Sequence, residues 1–302
     1  MSATGQRRAG PAVAALVLAV LVALLPAGRG DAVANGGRVA HPERTVPWVV
    51  TLYLGPGGGG ASPEDLVCTG TALDPRTILT AAHCLEDLGA DKLTVGYGGA
   101  TLAAQQQVEV VAQAMHPAYD PWRVVHDLAV LRTAAPMAID SFPMLPTARE
   151  AARARASSAR FTLYGWGDVL SGRVTGRLHL ARMANRSRQA KRIWGSDFGY
   201  KRQLGAGRLP HSATKSYPGA CAGDSGGPLV MAVRAAPVVV GVTSYGVRRC
   251  GAASPTIFTA VGHYTGWIRE TAAALATSEP LPADPAGSGP LPADPDLVAG
   301  LP

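Results

Sequence analysis

The sequence is short of charge, of cysteine and of long apolar runs. Asp, Glu, Lys and Arg make up 16% of the 302 residues, well below the roughly 25% of an average soluble protein. Apolar residues are nevertheless 47%, enough to bury a sizeable core and to exclude a wholly disordered chain. There are four cysteines, none in a C-x-x-C pair, and no second pair of ligands stands at zinc spacing, so the sequence predicts no zinc site. The one long apolar run, Ala12 to Leu25, has 14 residues. A bilayer span takes about 20, so the mature chain is expected to have no membrane span.

That run instead completes a secretory signal. Arg7 and Arg8 precede it, Pro26 ends it, and small-x-small cleavage sites follow at Leu25-Pro26-Ala27 and Gly30-Asp31-Ala32. Residues 1–32 are therefore predicted to be a signal peptide and the mature protein to be secreted to the extracellular space. In an oxidising compartment four cysteines read as two disulfides, with three connectivities open to the sequence alone.

Glycine and proline are abundant, 36 and 24 residues, which favours strands, turns and loops over long helices. Short β-rich runs recur at Trp48–Leu54, Ile78–Thr80, Lys92–Tyr97, Gln107–Met115 and Leu128–Thr133. A second set follows at Arg160–Tyr164, Arg177–Arg182, Leu229–Val233, Pro237–Tyr245 and Thr256–Val261. Many short strands between turn signals point to barrels or sandwiches. Residues 148–160 could form a helix but read first as an exposed linker, Tyr264–Ala276 as the best helix, and 277–302, which repeats Pro-Leu-Pro-Ala-Asp-Pro, as a disordered acidic Pro-rich tail.

The net charge of +7 is unevenly spread. Residues 149–215 hold 15 of the 28 basic residues and only Glu150, Asp168 and Asp197 as acids, a local +12. The rest of the chain is at −5. Within 182–218, Trp194, Phe198 and Tyr200 are interleaved with the basic residues. The segment reads first as a solvated flexible loop and second as a polyanion-binding patch.

Three motifs carry chemistry. Leu79-Thr80-Ala81-Ala82-His83-Cys84 puts a histidine beside a cysteine that can tether it. Asp127 precedes the apolar run Leu128-Ala129-Val130-Leu131. Cys221-Ala222-Gly223-Asp224-Ser225-Gly226-Gly227-Pro228 sets a serine among glycines, where backbone can approach a substrate closely.

In that order, His then Asp then Ser, the motifs resemble the chymotrypsin/trypsin-like (S1) serine proteases over about residues 33–272. Pro47-Trp48, Gly165-Trp166-Gly167, Ser244-Tyr245-Gly246 and Tyr264-x-x-Trp267-Ile268 add to the likeness. The Ala, Gly, Arg and Pro bias suits a secreted bacterial member. The resemblance implies an all-β fold of two six-stranded antiparallel β-barrels, about 33–147 and 160–262, with a C-terminal helix. It implies that Ser225 is the nucleophile, His83 the general base and Asp127 the residue that orients it. Gly223 and Ser225 would supply the oxyanion-hole N–H groups, and Cys68 would pair with Cys84 and Cys221 with Cys250.

Gly219, Ala220, Ser244, Tyr245, Gly246 and Thr256 would form the specificity pocket. Neither Gly219 nor Ala220 is acidic and Thr256 should shorten the pocket, so cleavage is expected after small or medium apolar residues, with large aromatics second. Val33, or Ala34, would be the activating N-terminus and pair with Asp224. Cleavage after Ala32 would expose Val33 directly, whereas a mature start at Gly28 would need a further processing step. No cofactor and no catalytic metal are expected, since the other histidines show no ligand spacing. Partners would be protein or peptide substrates and a protein protease inhibitor. The competing class is a catalytically inactive homologue that binds through its basic segment, and an esterase is a weaker third option.

Overall fold

The computed structural model describes residues 33–55, 65–167, 174–209, 217–233, 236–247 and 249–277. Residues 1–32, expected to be a signal peptide, and the tail beyond Thr277 lie outside the described residues, as do residues 210–216 of the basic segment.

The first half forms a closed barrel. Its strands are β2 (Val49–Leu54), β3 (Leu66–Ala72), β4 (Thr77–Thr80), β5 (Leu93–Tyr97), β6 (Gln106–Met115) and β7 (Ala129–Thr133), following a short β1 (Gly37–Arg38). The ring runs β2-β3-β4-β7-β6-β5 and all its pairings are antiparallel. Ten-residue β6 can serve two neighbours because its register shifts between Val110 and Ala112, a bulge that bends the strand.

The second half closes in the same way through β8 (Arg160–Gly165), β9 (His179–Asn185), β10 (Gln203–Gly207), β11 (Pro228–Val233), β12 (Ala236–Tyr245) and β13 (Thr256–Ala260). The order β9-β10-β13-β12-β11-β8 is closed by the β8–β9 pairing, and β1 lies against β9 outside the ring. The two six-stranded barrels and a C-terminal helix α4 (Val261–Thr277), after α1 (Pro42–Thr45), α2 (Ala148–Arg155) and α3 (Ser187–Trp194), make up the expected fold. Closure leaves neither six-stranded ring with a free edge.

Each barrel holds its own core. Leu52, Ile78, Leu79, Val95 and Leu131 fill the first; Phe161, Leu163, Met183, Leu229 and Phe258 fill the second. Burying each such side chain contributes about 1.5–3 kcal/mol. Trp166 is buried between the halves and its indole N–H donates to the Val49 carbonyl at 3.2 Å. Trp48 meets Tyr164 edge-on at 5.8 Å. Among the described residues no helix is long and apolar enough to cross a membrane.

Two expectations need correction. Residues 148–155, expected as linker, form helix α2. Thr147 Oγ1 accepts the Glu150 N–H and the Glu150 carboxylate accepts the Thr147 N–H, a capping box that starts the helix. Residues 182–209, expected as a flexible loop, are the end of β9, α3 and β10. Several of the basic side chains there are tied to backbone: Arg186 Nε donates to the Arg208 carbonyl at 2.9 Å and Lys191 Nζ to that of Phe198 at 3.1 Å.

Candidate active site

The ends of four strands meet between the barrels. His83 lies on the 3-10 turn Ala82–Leu85 that follows β4, and Asp127 lies just before β7. Ser225 stands in the turn before β11 and Ser244 near the end of β12. Half of this set comes from each barrel, so only their apposition assembles it.

Asp127 is fully buried and accepts three hydrogen bonds on its carboxylate. The His83 backbone N–H donates to Oδ1 at 2.9 Å, His83 Nδ1 to Oδ2 at 2.8 Å, and the Ser244 hydroxyl to Oδ2 at 2.5 Å. Thr259 Oγ1 donates to the Asp127 carbonyl at 2.7 Å. Two of these four bonds cross from the second barrel. Ser244 therefore serves the acid, whatever part it also has in the pocket.

The charges follow from this geometry. Burial opposes ionisation of Asp127, but the His83 and Ser244 hydrogen bonds and the His83 charge outweigh it and hold the carboxyl below its ordinary value. Burial also opposes a charge on His83. The hydrogen bond and charge of Asp127, helped by Glu86, outweigh it and raise the imidazole above the ordinary 6.5. An imidazole that donates through Nδ1 keeps Nε2 as the free proton acceptor.

The Cys68–Cys84 disulfide joins β3 to the His83 turn, and Cys221–Cys250 joins the segment before Ser225 to the loop before β13. The sulfurs of the first lie within 4.8 Å of a His83 nitrogen, but they are bonded to each other and offer no thiolate to a metal.

Thr69, which no motif flags, anchors the serine turn. Its N–H donates to the Ser225 carbonyl at 2.8 Å, and its hydroxyl donates to the Gly223 carbonyl at 2.8 Å while accepting the Trp166 N–H at 3.2 Å. Its one sequence signal is that it follows Cys68. Asp224 is fully buried; its carboxylate accepts the N–H groups of Cys221 and Gly167 at 2.8 and 3.0 Å. Gly223 has φ +84°, and a Cβ there would stand 2.8 Å from Gly167 Cα, so this turn requires glycine. Among the described residues the Ser225 hydroxyl makes no hydrogen bond, to His83 or elsewhere. Contacts of this kind are often loose in unliganded sites and tighten on binding.

The pocket residues also converge. The Ala220 N–H donates to Thr256 Oγ1 at 3.1 Å, and a Cβ on Gly219 would stand 3.2 Å from the same oxygen. The nearest neighbour of a Cβ on Gly246 would be Thr256 Cα at 3.9 Å. Tyr245 packs edge-on to Trp194 at 5.1 Å and its hydroxyl accepts from Gln203 Nε2 at 3.3 Å. Val33 is buried in the second core, and Ala34 forms an antiparallel bridge with Gly219.

The family model named Trypsin matches residues 34–268. The chain is 30% identical to a trypsin-like protease of Streptomyces glaucescens, over 90% of this chain and 95% of that one. It is 30% identical to kallikrein-7 of Homo sapiens, over 84% and 94%. The solved structure of neuropsin, a serine protease expressed in the limbic system of mouse brain, superposes with a TM-score of 0.64 at 25% identity, over 79% of this chain and 99% of that one. With two antiparallel six-stranded barrels and these relatives, the chain belongs to the trypsin family and is a serine endopeptidase of the chymotrypsin/trypsin-like (S1) type.

Proposed function

We propose that this chain is a secreted endopeptidase that cleaves peptide bonds through Ser225, His83 and Asp127. Ser225 Oγ attacks the scissile carbonyl carbon and passes its proton to His83 Nε2. The N–H groups of Gly223 and Ser225 hold the resulting oxyanion. Protonated His83 then gives its proton to the leaving amine, the acyl-enzyme forms, and water repeats the sequence to release the acid. The observation that carries this reading is the buried chain from Ser244 through Asp127 to His83 Nδ1, which leaves Nε2 as the acceptor. The inactive-homologue reading would start from the Ser225 hydroxyl, which has no hydrogen-bond partner among the described residues. A fluorophosphonate probe separates the two: stoichiometric labelling of Ser225 is expected, and an unlabelled protein would establish the inactive homologue.

Secretion is supported by the pattern of residues 1–32 and by two disulfides, which persist in oxidising compartments. Cleavage after Ala32 would free the ammonium of Val33, whose side chain occupies the second core, to pair with buried Asp224. Because Ala34 pairs with Gly219, this insertion would order the pocket as well. N-terminal sequencing of the secreted protein should read Val-Ala-Asn-Gly-Gly; a start at Gly28 would make a second processing step necessary.

The preferred substrates are small or medium apolar side chains before the cleaved bond. Thr256 carries this preference, because its hydroxyl stands beside both Gly219 and Ala220 where no acid is available to a basic side chain. Thr256→Gly should raise kcat/KM for Leu or Phe relative to Ala by about 10–200-fold, the value of ~1–3 kcal/mol of pocket contact. Chromogenic peptides differing only at that position measure it. Dominant cleavage after Arg by the parent protein would overturn the assignment.

A further inference from the structure

An open cleft of about 420 Å³ lies beside the chain segment that leads into Asp127, lined by His126, Gly199, Tyr200, Lys201, Arg202 and His263. Gly199, Tyr200, Lys201 and Arg202 come from the basic 182–218 segment, and His126 and His263 join them from two other stretches of sequence. Its volume is in the range of small-ligand sites, roughly 300–1,000 Å³.

The cationic groups converge. Arg202 Nη1 donates to His126 Nε2 at 3.3 Å, so the His126 proton sits on Nδ1, 3.2 Å from the Tyr264 hydroxyl oxygen. His126 is held at φ +56°, a left-handed conformation uncommon outside glycine. Its ring stacks on His116 at 5.0 Å. Arg155, from α2, donates to the Lys201 carbonyl at 2.7 Å. Among the described residues none of Arg155, Lys201 and Arg202 forms an ion pair with a carboxylate.

We propose that this cleft binds a small oligoanion bearing clustered phosphate or sulfate groups, held by Lys201, Arg202, His126 and His263. Clustered tetrahedral anions present several acceptor oxygens to donors that come from different directions, and Lys and Arg are the usual partners of such groups.

Binding should take up protons. Burial first, and then the neighbouring cations, hold both imidazoles below their ordinary value: Arg202 and His263 act on His126, and Arg155, Arg202 and Lys201 act on His263. His116 is lowered as well, by burial and then by His126 and His263. Asp127 beside His126 is committed to His83 and Ser244. An anion in the cleft would offset these repulsions and favour a protonated His263, and by drawing the Arg202 guanidinium onto itself it would free His126 Nε2 to take a proton.

Calorimetry on the whole secreted protein tests this, with a fully sulfated heparin disaccharide, whose charge is constant between about pH 5.5 and 8, as the first probe. Affinity is expected to be about tenfold higher at the acid end, with proton uptake visible as a buffer-dependent enthalpy. Lys201→Gln and His263→Gln, at exposed positions, should each weaken binding about 5–10-fold, while Arg38→Gln on β1, which does not line the cleft, should change it by less than about twofold. Tripolyphosphate at neutral pH is the second probe; whichever binds more tightly assigns phosphate or sulfate as the preferred group. Absence of binding by both probes at millimolar concentration, or an equal loss in Arg38→Gln, would overturn the site. An affinity independent of pH would remove His126 and His263 from it. The readout involves no proteolysis, so it fails or holds independently of the catalytic proposal.

Discussion

Replacing Ser225 with alanine is expected to lower kcat for peptide hydrolysis by about 10⁶-fold, leaving a residual rate from substrate binding and the oxyanion hole alone. Fluorophosphonate labelling should be lost completely. The fold should be unchanged: Ser225 is held through its carbonyl by the Thr69 N–H, and among the described residues its hydroxyl makes no hydrogen bond that alanine would remove. A thermal midpoint near that of the parent, together with the lost rate, separates a chemical role from a structural one. Hydrolysis persisting at the parent rate would place the nucleophile elsewhere.

Asp127→Asn is expected to cost about 10⁴-fold in kcat/KM, and the three bonds to the carboxylate give the reason. If the amide oxygen keeps the His83 N–H, the amide nitrogen must face His83 Nδ1 and the Ser244 hydroxyl, both donors in the parent. His83 can satisfy that nitrogen only by accepting at Nδ1, which moves its proton to Nε2 and removes the base. The pH profile carries a second signature. Activity needs neutral His83, so the acid limb of the parent should lie above 6.5, because Asp127 outweighs burial in raising the imidazole. In the variant that charge is gone and only the smaller pull of Glu86 opposes burial, so the limb should move to lower pH.

Stability runs the other way. The raised imidazole contributes fully below its ordinary 6.5 and loses that contribution as pH rises through its folded value. The depressed carboxyl contributes above its ordinary 3.8 and loses its contribution as pH falls through its folded value. The pair therefore supports the fold most strongly between the two, on the acid side of the activity optimum. A variant retaining activity within tenfold of the parent would show that Asp127 does not set the tautomer.

Five strands of each barrel were legible from the sequence, because β-branched and aromatic runs between glycine and proline breaks are a local signal. Those runs left barrel and sandwich open, and the family and its two-barrel architecture came from the resemblance of the ordered motifs. The sixth strand of each was not legible. β10 reads Gln-Leu-Gly-Ala-Gly, a turn by composition, yet it is paired and buried. Glycine is needed there because a Cβ on Gly205 would stand 2.7 Å from the Cβ of Ala190 in α3, a contact between distant positions. β3 likewise carries Cys, Gly and small polar residues, and holds Cys68 and Thr69. Helix α2 was hidden for the opposite reason: its Arg-rich composition looked solvated, and a two-residue capping box decided the matter.

By itself the sequence determined which residue types were available and in what order: a histidine beside a cysteine, an acid before an apolar strand, and a serine among glycines. These are covalent neighbours and survive without a fold. The tertiary structure alone decided that Ser244 and Thr259 of the second barrel bond to Asp127 of the first, and that Thr69 carries the serine turn. It also gathered His126, Lys201, Arg202 and His263 around one cleft. Those contacts join residues up to 154 positions apart, and hydrogen bonding and burial depend on distance in space, which chain order does not encode until the barrels close and meet.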